Sequence, residues 1–339
     1  MSRLLANVNR VIELARFWLV TRLSSPHKRP GRWRWFERVM GNGFALLLMA
    51  YLGYRVYDGW QTLPGSMRRA ELGSIVLGLV ITLIAQGMLA INWSVLVTVV
   101  GGMIPFGTAM RIYSFSNLGR YLPGSVWHFA GRLFWLKQER VTNGRAVTCV
   151  LLEQGIIVGA GALVGAAGLL MALVDQLVLM TAIGALVTLL GCGVGLIIAL
   201  TPHNVALREI RRRLGELPVH TLLIVTATSF GFWLLQGIAA YLLIGDLRLS
   251  NVSATRCLVT LTGAVASAWV VGYLAVFAPT GLGVREGVFL VLVNPLYSKP
   301  VAAASALVLR AAQVLTEMIW VAIIAVAWRR LNYLLGSTE

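Results

Sequence analysis

Charged residues are scarce in this sequence, and acidic ones especially so. Asp, Glu, Lys and Arg together make up 12% of the 339 residues, whereas an ordinary soluble domain contains about 25%. Hydrophobic residues make up 58% of the chain, and the mean hydropathy is +0.78. These values exclude an ordinary soluble globular protein and indicate a chain that resides in a membrane.

Short segments of alternating polarity are also missing. A transmembrane β-barrel needs alternating segments of about 10 residues, but this sequence instead contains repeated apolar runs of about 20 residues, long enough to cross roughly 30 Å of hydrocarbon as a helix. We therefore expect an all-α, polytopic transmembrane bundle of about seven or eight spans. The runs predict spans near residues 40–58, 72–99, 146–171, 176–200, 220–244, 256–277 and 301–327.

Cysteine and recognised catalytic motifs are equally sparse. The three cysteines, Cys149, Cys192 and Cys257, are isolated within apolar runs, which excludes a disulfide framework and favours small core side chains. The sequence has no metal-ligand spacing, no nucleophile and base arrangement and no Walker motif. We therefore expect no cofactor, no metal and no enzymatic activity, and any transport would be downhill, exchange-driven or coupled to an ion.

Basic residues outnumber acidic ones by 29 to 13, which gives a net charge of +16. They cluster in the N-terminal arm and in the loops Arg111 to Arg145 and Arg208 to Arg213, as the positive-inside rule and contact with anionic headgroups require. No nucleic-acid recognition motif accompanies the charge, so a nucleic-acid partner is not expected. The pattern indicates a cell inner-membrane protein with a cytoplasmic N-terminus.

The charge pattern also predicts the domain organisation. Residues 1–38 resemble a basic amphipathic helix at the membrane interface, although a solvated helix packed on a loop would show the same pattern. Residues 39–335 form a single transmembrane domain with one half at about 39–200, a second at about 218–330 and a basic cytoplasmic loop at 201–217. Arg329 and Arg330 favour a cytoplasmic C-terminus, which requires an additional, partly re-entrant passage near residues 279–297.

Two segments interrupt the apolar pattern in the same way: "SNLGRYLPGSVWHFAGR" at residues 116–132 and "VFAPTGLGVREGVFLVL" at 276–292. Each has a proline, nearby glycines, an arginine and a short apolar helix. Unwound backbone at membrane depth is tolerated only beside protein or a water-filled cavity, and paired interruptions in two halves point to a transporter-like site. The segments therefore predict an internal repeat with re-entrant helices; two ordinary loops containing Pro and Gly are the alternative.

Glu153, Arg310 and Glu317 lie well inside predicted spans. A charge at the centre of a span costs at least about 2.5 to 3.5 kcal/mol, so these residues should face the protein interior. Arg310 and Glu317 lie two turns apart on one helix face, and Glu153 could complete a cluster with them. The alternatives are a purely architectural ion pair and, for the arginines of the two interrupted segments, snorkelling to headgroups.

The two segments also resemble a known family. "RYLPGSVWHFAGR" with the following "LLEQ", and "APTGLGVREG" with the later "LVLRAAQ", are similar to segments of the lysylphosphatidylglycerol synthase transmembrane-region family, which is related to the flippase half of bacterial lipid-aminoacylating proteins. The resemblance covers roughly residues 40 to 330. It implies a multi-span bundle with re-entrant helices that moves or handles anionic or charged-headgroup lipids. The sequence ends at Glu339 without a soluble aminoacyl-transferase domain, so synthase activity is not expected.

The candidate substrate-binding residues combine the interrupted segments with the intramembrane charges. They are Arg120, Pro123, Gly124, His128, Arg132, Glu153, Pro279, Gly281, Gly283, Arg285, Glu286, Arg310 and Glu317. His128 is the weakest member, because a histidine beside Trp127 is more often packed at an interface than used as a proton carrier.

The resulting hypothesis is a flippase-like lipid translocase that accepts a phosphate-bearing headgroup in an arginine-lined intramembrane cavity, with membrane lipids as its partners. A non-transporting accessory subunit that docks a lipid- or glycan-modifying enzyme is the main alternative. A membrane-embedded enzyme acting on a lipid phosphate is a third.

Overall fold

The computed structural model describes residues 72–102, 104–121, 127–173, 218–275, 281 and 283–336. Eight α-helices lie within these ranges: α1 (Leu72–Leu96), α2 (Phe106–Asn117), α3 (Trp127–Gln138), α4 (Asn143–Leu173), α5 (Val219–Ile244), α6 (Ala254–Leu274), α7 (Val284–Val293) and α8 (Lys299–Gly336). A π-helical turn, Val97–Gly102, extends α1, and 3-10 turns follow α2 and α5 at Leu118–Tyr121 and Gly245–Leu247.

Five of the described segments are long and apolar enough to cross a membrane. They are Leu72–Gly102, Asn143–Met171, Val219–Leu247, Ala254–Leu274 and Lys299–Trp328. Each corresponds to a span predicted from the sequence, and together they confirm a multi-pass α-helical membrane protein. The predicted spans at 40–58 and 176–200, the N-terminal arm 1–38 and the loop 201–217 lie outside the described residues.

Three described helices are too short to cross a bilayer on their own: α2 and α3 have 12 residues each and α7 has 10. Helices α3 and α7 follow the two interrupted segments, where the sequence predicted short helices. Helix α2 was not predicted, and the stretch Arg111 to Arg145, expected as a basic loop, is largely helical instead. Packing of α2 against α1, α3 and α8 explains the difference, because tertiary contacts stabilise a segment that lacks a long apolar run.

The long helices pack in pairs. Helix α1 lies along α5, and α4 lies along α6. At the second contact the helix backbones nearly touch, since a Cβ atom added to Gly168 would lie 2.7 Å from the Cα atom of Gly263. Small residues allow such close approach between membrane helices, where van der Waals packing drives association.

Local signals in the sequence fix where the helices begin. The hydroxyl of Ser253 accepts a hydrogen bond from the backbone N–H of Arg256 and caps α6. Pro300 occupies the first turn of α8, where its missing N–H is not needed. Gly283, with φ of 82°, begins α7, a conformation that favours glycine.

The expected core cysteines are present as free, buried thiols at Cys149 and Cys257. Cys149 packs in a core with Trp93 and Trp233, and Cys257 packs in a second core with Tyr297. Cys192 lies outside the described residues.

Candidate functional site

A cavity of about 250 Å³, called here the main cavity, lies between helices of both halves of the described chain. All eight α-helices contribute residues to its wall. Six of these residues are ionisable Arg or Glu side chains: Arg120, Arg132, Arg285, Arg310, Glu153 and Glu317. The two interrupted segments therefore both border this cavity. The first contributes His128 and Arg132 on α3, and the second contributes Gly281 and Arg285.

Arg132 and Glu153 form a buried ion pair between α3 and α4, with 2.5 Å between Nη1 and Oε2. Their side chains are 1% and 4% exposed. Nη2 of Arg132 also donates to Oδ1 of Asn117 at 2.8 Å, and the guanidinium lies 4.7 Å from the ring centre of Trp93 and 4.6 Å from that of Tyr113. These contacts neutralise the charge of Arg132 within the protein, while its buried Nε makes no hydrogen bond among the described residues.

The carboxylate of Glu317 on α8 accepts hydrogen bonds from three side chains in distant parts of the chain. Its Oε1 accepts from Nη1 of Arg120 at 2.9 Å and from Nε2 of Gln86 at 3.5 Å. Its Oε2 accepts from the hydroxyl of Tyr121 at 2.5 Å. Glu317 thereby joins the 3-10 turn after α2 to both α1 and α8, and its negative charge is neutralised by Arg120.

A third ion pair lies between α7 and α8. Nε of Arg310 is 3.9 Å from Oε1 of Glu286, and Oε2 of Glu286 accepts from the backbone N–H of Gly283 at 2.7 Å. Glu286 thus caps α7 while it contacts Arg310. The pair corresponds to Arg132 and Glu153, since both join a short helix to the long helix that follows it, but the signs are reversed.

Arg285 is the remaining arginine of the main cavity, and it is partly exposed. Within the described part of the chain, no carboxylate lies at ion-pair distance from it, whereas Arg120, Arg132 and Arg310 each have one. The cavity wall has four arginines and two glutamates, and Glu286, which contacts Arg310 from a neighbouring space, leaves one excess positive charge over this whole set. An uncompensated cation at a partly exposed wall favours an anionic ligand.

Another part of the wall is aromatic. Trp269 and Tyr273 on α6 stack with ring centres 5.0 Å apart, and Tyr273 makes an edge contact of 6.5 Å with Phe129. Sequence reasoning missed these rings, although the spacing of four between Trp269 and Tyr273 places them on one helix face. It also missed Gln86, which could have been noticed as an isolated amide inside an apolar span.

The structure places the sequence candidates as follows. Arg120, His128, Arg132, Glu153, Gly281, Arg285, Arg310 and Glu317 line the main cavity. Glu286 lines a smaller neighbouring space, Gly283 is exposed at the start of α7, and Pro123, Gly124 and Pro279 lie outside the described residues. His128 is buried, with its ring centre 3.8 Å from that of Phe129.

The ion pairs differ from the cluster that helix spacing suggested. Glu153 and Glu317 were expected to cluster with Arg310, but they bind Arg132 and Arg120, while Arg310 contacts Glu286. Spacing along one helix identified the charges but not their partners on other helices. In the ranges that the structure describes, no group of three or more His, Cys, Asp or Glu side chains could hold a metal ion.

These features define a multi-pass helical membrane protein with a polar internal cavity. Residues 39–320 match the family described as lysylphosphatidylglycerol synthase TM region, and because the match covers most of the chain, the protein belongs to that family. This membership relates it to membrane lipid biology. No curated protein matches the sequence closely enough to count as a relative.

Proposed function

We propose that the protein is a flippase-like lipid translocase of the cell inner membrane, which holds a phosphate-bearing headgroup in the main cavity at Arg285. The observation that carries the proposal is the charge balance of the cavity. Three arginines face glutamates, and Arg285 has no carboxylate partner among the described residues. The lipid tails remain in the bilayer in this proposal, so only the headgroup needs a polar path.

The chemistry of arginine supports a phosphate ligand. A guanidinium stays charged at all relevant pH values and can donate two parallel hydrogen bonds to phosphate oxygens. A cationic headgroup would need a free carboxylate, but each glutamate of the site already binds an arginine. Arg285 therefore favours a headgroup with net negative charge, and the proposal involves no covalent step.

The decisive experiment measures headgroup flipping by the purified, full-length protein in vesicles that contain phosphatidylglycerol labelled on its acyl chain. The wild type should expose inner-leaflet lipid to a membrane-impermeant quencher faster than protein-free vesicles do. Replacing Arg285 by Gln should slow flipping about tenfold or more, because a hydrogen bond to a charged group contributes about 1.5 to 3 kcal/mol.

Arg256→Gln is the matched control, since it makes the same change at an exposed position at the start of α6, away from the cavity. It should flip lipid at the wild-type rate. Equal rates for Arg285→Gln and wild type would refute the role of Arg285. A wild-type protein that binds the lipid without flipping it would instead favour the accessory-subunit hypothesis.

A further inference from the structure

A second, smaller space lies next to the main cavity, between α1 and the helices from α5 to α8. This small chamber has a volume of about 40 Å³, room for about two or three water-sized particles and too little for a lipid headgroup. Apolar residues form most of its wall, and its polar lining consists of Thr82, Gln236, Arg285, Glu286, Arg310 and Gln313.

Two glutamines in the small chamber have unsatisfied polar atoms. Nε2 of Gln236 and Oε1 of Gln313 are buried and make no hydrogen bond within the described part of the chain, and each residue is 8% exposed. A buried polar atom without a partner is costly and rare in native proteins, and an unseen water or ion is a common explanation. Both atoms belong to residues that border the same small space, so one occupant could bind both residues.

The net charge of the side chains around the small chamber indicates which kind of ion it would bind. Arg285 and Arg310 contribute two positive charges and Glu286 one negative charge, so a cation would be repelled on balance. The amide of Gln236 offers N–H donors, and the amide of Gln313 offers the same donors after a half-turn about its last bond, because a terminal amide carries an NH₂ group on one side and an oxygen on the other. Several N–H donors around a space of this size suit a monatomic anion.

We propose that the small chamber binds one halide-sized anion, of which chloride is the common biological example, between Gln236, Gln313 and the guanidiniums of Arg285 and Arg310. Arg285, Arg310 and Gln313 border both spaces. The anion would therefore lie behind the same guanidiniums that face the main cavity, at a site separate from the headgroup.

Thermal unfolding of the purified full-length protein tests the proposal independently of lipid transport. Sodium chloride and sodium gluconate are compared at equal ionic strength. The unfolding temperature should rise with chloride concentration and saturate, because an anion that binds only the folded state stabilises it. Bromide should reproduce the effect and give anomalous scattering in the small chamber of a crystal.

Gln236→Leu is the informative variant, because it keeps the volume and removes the donor. It should fold at least as well as wild type in gluconate, since it removes an unsatisfied buried group. Its half-saturating chloride concentration should be about tenfold or more higher. Thr260→Val is the control: it removes another buried polar atom without a partner among the described residues, outside both spaces, and should keep the wild-type chloride response.

Three results would overturn the anion site. They are an absence of any chloride-specific stabilisation, an unchanged chloride response in Gln236→Leu, and bromide density that lies elsewhere. Any of them would leave water as the occupant of the small chamber. None of them bears on lipid flipping, so the two proposals can fail separately.

Discussion

Arg132 is a buried cation whose neighbours leave little room for a ligand. It is 1% exposed, and it contacts Glu153, Asn117 and the rings of Trp93 and Tyr113. Arg285 borders the same cavity but is partly exposed and has no carboxylate at ion-pair distance among the described residues. We infer that Arg132 positions helices α3 and α4, whereas Arg285 is available to a ligand.

The first residue-scale prediction separates these roles by a double substitution. Arg132→Met should destabilise the protein by about 3 to 5 kcal/mol, because it leaves the Glu153 carboxylate buried without its cation. Adding Glu153→Gln should recover most of that loss, since replacing both members of a buried pair can be neutral. Thermal unfolding in detergent measures the stability, and vesicle flipping measures the activity of the same preparations.

The double variant should keep lipid flipping near the wild-type rate if Arg132 is a positioning residue. A stable double variant that no longer flips lipid would show instead that Arg132 contacts the substrate. Arg285→Gln should differ from the double variant in activity: it should keep normal stability but flip lipid slowly.

At the scale of elements, a short helix followed by a long one occurs twice, as α3 with α4 and α7 with α8. Each pair is joined by an ion pair that includes an arginine of the main cavity. In the second segment the backbone must also pass very close to α6: at Gly281, where φ is 69°, an added Cβ would lie 2.7 Å from the carbonyl oxygen of Gly272. Glycine meets both requirements there, positive φ and no side chain.

The prediction at this scale concerns the contact between α4 and α6. Gly263→Ala should destabilise the protein by about 1 to 3 kcal/mol, because its Cβ would lie 2.8 Å from the backbone nitrogen of Leu169 and the helices would have to move apart. Gly155→Ala on α4 is the control, since nothing lies within 4 Å of its added Cβ. That variant should be neutral or slightly stabilising because alanine favours the helix. The measurement is the thermal unfolding midpoint of both variants in the same detergent. Equal midpoints for Gly263→Ala and Gly155→Ala would contradict the tight contact between α4 and α6.

For the whole molecule, the distribution of basic residues leads us to propose that both termini are cytoplasmic. Five described spans and two expected spans give seven crossings, so an eighth passage is needed. Helix α7 has 10 residues and is about 15 Å long, which covers roughly half of the hydrocarbon thickness. The residues before it would have to supply the rest of that passage.

Cysteine labelling in intact cells or oriented vesicles checks this topology. A cysteine introduced at Ser2 and one introduced at Ser337 should both react only when a membrane-impermeant thiol reagent is admitted to the cytoplasmic side. The parental protein measures the background from the three native cysteines, of which Cys149 and Cys257 are buried. Labelling of position 337 from the periplasmic side alone would refute the eighth passage.

The amino-acid sequence alone was sufficient to predict the class of fold, the five spans that the structure describes and the short helices α3 and α7. The reason is local: a helix of about 20 apolar residues satisfies its own backbone hydrogen bonds and matches the bilayer thickness whatever its neighbours are. Proline and glycine interrupt such a helix through their own backbone geometry. The resemblance to the family rested on the same two interrupted segments, and the family match confirms it.

Only the tertiary structure decided which charges neutralise one another. Glu317 binds Arg120 from 197 residues away, and Glu153 binds Arg132 from 21 residues away. Helix spacing had instead grouped Glu317 with Arg310, with Glu153 as a further member of that cluster. The partner of a buried ion depends on how helices pack across the bundle, and hydropathy contains no information about that packing. Because three arginines are neutralised in this way and Arg285 is not, the excess positive charge of the main cavity is a property of the folded bundle.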